Sequence, residues 1–130
     1  MGTLAHACHF LEDRERAAVL YERLEPWAHR NLVAPIEASL GSAAWPLGRL
    51  AATLGEAEVA AGWFERAAAA NERAGALPWA AHARLDHARL LVSTGDQAAS
   101  EPLLEAASDA YCELGMNAWV ARCDVATATA

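Results

Sequence analysis

The stretch LGRLAATLGEAEVAAGWFERAAAANERAG, residues 47–75, decides how the whole chain is read. Within it Val59, Ala60, Trp63, Phe64, Ala67, Ala70 and Ala74 recur at three- and four-residue steps, the apolar stripe of an amphipathic helix. Glu58, Glu65, Arg66, Glu72 and Arg73 mostly fall off that stripe, and Trp63 is expected in the core. Gly55, Gly75, Gly95 and Gly115 follow at intervals of 20 residues, each closing a helical segment where a left-handed residue favours glycine. Two such helices make a hairpin of about 40 residues, the period of an α-solenoid.

Working outward, the periodicity predicts helices over 3–11, 14–28, 42–54, 56–74, 78–94, 97–114 and 117–128: three hairpins and a trailing helix. Residues 29–41 lack clean periodicity and read as the longest connection, with a short helical turn inside. Pro78 suits a first turn, whereas Pro26 and Pro102 should bend or delay their helices, with Ser100 as a cap before Pro102. Residues 55–60 align with 12–17 and 95–100 at offsets of 43 and 40. A large residue then comes at Tyr21, Phe64 and Leu104, and Leu24, Ala67 and Ala107 stand three further on, a ladder each second helix offers its partner. Gly48 is placed to let two helices approach closely.

Composition agrees and also excludes. The 130 residues contain 34 alanines, ten arginines, no lysine and one isoleucine, favouring helix over strand and one domain over two. Without lysine there is no P-loop ammonium and no Schiff-base chemistry. A formal charge of −7 argues against nucleic acid as a direct partner. No stretch has the run of apolar residues a membrane helix or a signal peptide requires. Three cysteines, Cys8, Cys112 and Cys123, with no CxxC pair, fit free thiols and a cytoplasmic location.

Leu47, Gly48, Gly55, Ala60, Phe64 and Ala67 carry a resemblance to tetratricopeptide repeats (TPR), spaced as that family spaces its Leu-Gly, Gly, Ala, Phe/Tyr and Ala signature. The period of 40 to 43 residues exceeds the family's usual length of about 34, so the chain looks like a long-helix variant. Residues 44–91 are similar to the C-terminal helical repeats of large bacterial ATP-binding signalling regulators, which pair an NTPase with a LuxR-type DNA-binding end or a cyclase module. The resemblance implies an all-α, TPR-like solenoid over residues 1–130, a piece of a longer array whose uncapped ends can pair with another copy.

It also implies a site. In such arrays the first helices line a concave groove, and the residue after the Leu-Gly position faces it: Arg49, Arg89 and, in the first repeat, His6. Trp45 and His82 fall about a turn earlier on the same faces. A basic, aromatic-edged groove would take an acidic peptide, a C-terminal carboxylate or a small effector, unless the arginines pair internally with Asp86 or Glu37. Trp79 and Trp119, 40 residues apart, are expected to wedge against the preceding hairpin. The expected function is therefore a non-catalytic regulatory scaffold, with self-assembly as the alternative. An enzyme using His6, Cys8 and His9 on a metal, or His82 with Asp86 as an acid/base pair, is a weaker reading. His6, Cys8 and His9 lack a fourth ligand at a metal-binding spacing, so no metal or cofactor is expected.

Overall fold

A computed structural model describes residues 1–33 and 39–128, with side chains to residue 126; Pro35 and Glu37 lie outside the described residues. The described chain is mostly helical. Its elements are α1 (Gly2–Phe10), α2 (Arg14–Leu24), β1 (Asn31–Val33), β2 (Ser39–Ser42), α3 (Ala44–Leu54), α4 (Ala57–Arg73), α5 (Leu77–Thr94), α6 (Gln97–Glu113) and α7 (Asn117–Ala128), with a 3-10 turn at Glu25–Trp27. No helix of the described residues is long and apolar enough to cross a membrane.

The helices end where their chemistry says. Gly55 and Gly95 close α3 and α5 at φ +88° and +89°, a conformation that disfavours a Cβ, and Gly75 and Gly115 also lie at positive φ. Arg14, from α2, donates from Nε to the Thr53 carbonyl and from Nη2 to that of Leu54, so a guanidinium serves carbonyls at the α3 C-terminus. Asp13 caps α2 by accepting from the Arg16 backbone N–H at 3.0 Å.

Three expectations are corrected. The described part of residues 29–41 includes an antiparallel ribbon, β1 with β2, and α3 starts at Ala44 rather than residue 42. The ribbon is held because the Ser42 N–H donates to Asn71 Oδ1 at 2.8 Å, deep in the α4 face, while Gly41 lies against Trp79. The helix expected over 14–28 ends at Leu24, giving way to the 3-10 turn at Pro26, where proline stops it. Ser100 is not a cap: Asp96 accepts from Ala99 N–H and starts α6 ahead of Pro102, leaving the Ser100 hydroxyl to donate to the Gln97 carbonyl.

Each helix packs on its chain neighbour, and α1, α3, α5 and α7 also touch in succession. The buried face of α4 is Ala60, Phe64, Ala67 and Asn71, and that of α6 is Ser100, Leu104, Ala107 and Tyr111, the same ladder 40 residues on. The core forms three clusters: Leu24, Leu47 and Leu50 with Ala5 and Ala17; Trp45, Phe64 and Ala83; and Leu85, Leu104, Tyr111 and Cys123. Trp63 is only half-buried, joining two clusters while its indole N–H donates to the Tyr21 hydroxyl. In and just after α1, Leu4, Phe10 and Leu11 remain exposed.

Gly48 sits under the Phe64 ring: a Cβ there would lie 2.6 Å from the ring carbons, whereas one on Gly62 would meet nothing within 4 Å. The same substitution therefore has opposite signs at two helical positions. Gly48→Ala is expected to lower unfolding free energy by about 1–3 kcal/mol, because a packed ring must move. Gly62→Ala is expected to raise it by up to about 1 kcal/mol through helix propensity. Urea denaturation of both variants checks the pair.

Candidate functional site

The helices α1, α3 and α5 bring His6, Trp45, Arg49, His82 and Arg89 to one region, and Asp86 is its centre. Trp45 and Arg49 are one turn apart on α3, so both reach the same acceptor on α5: Trp45 Nε1–H donates to Asp86 Oδ2 at 2.8 Å and Arg49 Nε–H to the same oxygen at 2.6 Å. Arg89 lies farther off, with Nη1 3.7 Å from Asp86 Oδ1. The Asp86 side chain is 7% exposed and that of Arg49 17%, so this is a largely buried ion pair with its hydrogen bonds made.

From Arg49 the network continues to α1. Its Nη1 lies 2.7 Å from His6 Nδ1, and because a guanidinium only donates, His6 accepts there and carries its proton on Nε2. Burial, and next the Arg49 charge, lower the His6 pKa to about 4, as this neutral tautomer requires. The Arg49 guanidinium also lies over the Trp45 ring, 4.5 Å from its centroid. His9, one turn on in α1, is 3.1 Å from the Thr53 hydroxyl; that hydroxyl donates to the Arg49 carbonyl, so His9 Nδ1 is the donor. Burial lowers the His9 pKa too.

Below the network the rings run on. The Trp45 ring is stacked on His82 at 5.4 Å, and Trp79 and Trp119 flank His82 at 5.5 and 4.2 Å. His82 Nδ1 is 2.7 Å from the buried Tyr111 hydroxyl, and burial lowers the His82 pKa to about 4 while pushing the Tyr111 phenol up. No hydrogen bond joins His82 to Asp86 among the described residues; each is committed elsewhere. His87 faces away, toward Phe64.

A cleft of about 530 Å³ opens above, walled by His6, His9, Phe10, Arg49, Phe64, Asp86, Arg89 and Ser93, with Glu12 among its lining residues. Trp45 and His82 are buried and do not line it. Asp86 and Glu12 stand in its walls beside the two arginines, so its lining is of mixed charge rather than basic throughout. Arg49 has the internal pairing with Asp86 that the sequence left open, through Nε, while the Arg89 side chain stays 43% exposed. Cys8 points into the core beside Ala5 and Leu47, away from His6 and His9. Among the described residues no group of three or more His, Cys, Asp or Glu could hold a metal ion. Sequence reasoning placed Trp79 and Trp119 but missed Tyr111 and Thr53 as polar partners; a phenol four residues beyond Ala107 on the ladder was the available signal.

No family model matches the chain, and neither a curated protein nor a solved structure does.

Asp86→Asn is expected to cost about 2–4 kcal/mol of stability, since it leaves a buried guanidinium without its counter-charge. Urea unfolding at neutral pH measures it. A second expectation concerns pH. His6 and His82 have folded-state pKa values of about 4 against an ordinary 6.5, so above 6.5 both states are neutral and stability is full. As pH falls from 6.5 toward 4 the unfolded chain takes up protons that the folded chain refuses, and their stability contribution is lost across that window. Histidine Cε1–H resonances followed by NMR should show two imidazoles titrating near pH 4; midpoints near 6.5 for both would refute this.

Proposed function

We propose that this chain is a non-catalytic, TPR-like helical-repeat scaffold whose α1, α3 and α5 face binds an extended acidic peptide of a partner protein. In this reading it is the regulatory repeat segment of a bacterial signalling or transcriptional regulator. One observation carries it: side chains from three alternate helices meet on a single cleft, so a ligand lying there touches three hairpins at once. The succession of contacts along α1, α3, α5 and α7, with the ladder repeated in α4 and α6, supports the solenoid reading. The resemblance of residues 44–91 to the regulators' repeats supports the biological setting.

The chemistry of the cleft narrows the ligand. Arg49 is held from beneath by Asp86 and from the side by His6, so it is oriented rather than consumed, and its ring contact fixes the guanidinium plane. Arg89 is the more exposed guanidinium and can turn to a carboxylate without breaking a short hydrogen bond. His6 offers a neutral Nε2–H donor. Phe10, nearly fully exposed at the cleft's edge, gives an apolar contact beside the charges. An extended acidic peptide with an apolar residue next to its carboxylates meets all of these.

The test is an array of synthetic acidic peptides probed with the native chain and with Arg89→Glu. Native protein should bind a subset containing an apolar residue between acids. Charge reversal should weaken that binding by about tenfold or more, and Arg89→Gln, which places no second carboxylate beside Asp86, should weaken it at an unchanged thermal midpoint. Indifference to the reversal, or no acidic peptide bound, would overturn the reading.

A further inference from the structure

The cleft between α5 and α7 differs from its neighbours in charge. It encloses about 290 Å³ and is lined by Arg89, Val92, Ser93, Arg122, Val125 and Ala126. Four other clefts of the described surface each include a carboxylate in their walls: Asp86 in the groove, Glu12 beside Arg14, Glu101 with Asp109, and Glu25 with Glu58. Here, among the described residues, two guanidiniums and no carboxylate face an apolar wall, in a chain of net charge −7.

Both guanidiniums have capacity to spare. Arg122 lies over the Trp119 ring, 4.3 Å from the centroid, and among the described residues no carboxylate pairs with it. The Arg89 nitrogen nearest Asp86 is 3.7 Å away, beyond hydrogen-bond reach, and Asp86 already accepts from Trp45 and Arg49. The Ser93 hydroxyl donates to the Leu90 carbonyl at 2.7 Å, so the side-chain donors left to a ligand are the two guanidiniums. Val92, Val125 and Ala126 supply the apolar side. The volume stands at the low end of small-molecule sites, which selects a small ligand over a peptide.

We propose that this cleft binds a small free carboxylic acid with an apolar tail. The carboxylate accepts from Arg89 and Arg122, and the tail lies on Val92, Val125 and Ala126. Arg122 is pre-oriented by its tryptophan, so little freedom is lost on binding. The inference goes beyond the peptide groove and does not rest on it, although Arg89 and Ser93 line both clefts.

Octanoate, titrated into the full chain by calorimetry and by NMR of the tryptophan indole N–H signals, is the probe; acetate and octanol each keep half of its chemistry. Octanoate should bind saturably and about tenfold or more tightly than either, because charge and tail act together. The Trp119 indole signal should move most. Arg122→Gln, at an exposed position, should weaken binding by about tenfold at unchanged thermal midpoint, with Arg122→Lys recovering part of it. Absence of saturable octanoate binding, equal binding of octanol, or an unaltered Arg122→Gln variant would overturn the assignment. Acidic peptides bound with Arg89 dependence but no octanoate leave the groove reading standing, and the reverse outcome removes that reading alone.

Discussion

A carboxylate taken out of water must be compensated, and Asp86 shows how much structure that requirement organises. Its Oδ2 accepts from an indole and a guanidinium of α3, and the same guanidinium reaches an imidazole of α1. Three helices that are distant in sequence are thus registered by one buried charge. Shift α3 by a residue along α5 and Trp45 and Arg49 can no longer meet the same oxygen. Hydrophobic packing tolerates small slips of that kind; a buried ion pair with fixed hydrogen bonds tolerates them poorly, and here it specifies which helix faces meet. The neutral histidines follow from the same constraint. His6 must keep an acceptor toward Arg49, and His82 is enclosed by rings and a phenol, so neither can take a proton cheaply.

The apolar part of the structure depends on size rather than charge. Alanines at Ala60, Ala67, Ala83, Ala88 and Ala107 are fully buried, which lets helices approach closely enough for single large residues, Phe64 on one side and Tyr111 on the other, to fill the space between. Gly48 is the limiting case, with the Phe64 ring where a side chain would be. An alanine-rich chain can therefore have a dense interior, provided its few large side chains fall at the right rungs.

Much of this was legible in the sequence because it is local. Helix ends follow from Gly55 and Gly95, whose left-handed conformation is written in the residue type, and the ladder follows from spacing. The ribbon at Ser39–Ser42 was not legible: it has no alternating pattern, and its anchor is an amide 29 residues away, Asn71, which reads from sequence as one more polar helix residue. Ser100 misled because its hydroxyl had an equally good use inside the helix. At the site, register arguments gathered five residues in one region, three of which line the cleft, and left open whether its arginines pair with Asp86. Whether Asp86 points at those arginines depends on the rotation of α5 against α3, which no single-helix pattern contains.

The three clusters of the core have a bearing on how the molecule comes apart. Each is shared by successive helices rather than by the whole chain, with Tyr21 and Trp63 bridging two of them at the edges. Cohesion is thus passed from neighbour to neighbour, and the segments nearest the ends can open while the middle holds. Against that looseness stands the Asp86 linkage, which ties the first, third and fifth helices across cluster boundaries. A molecule held this way is clipped together at one point, and the position of the clip fixes which part unravels first and which part last.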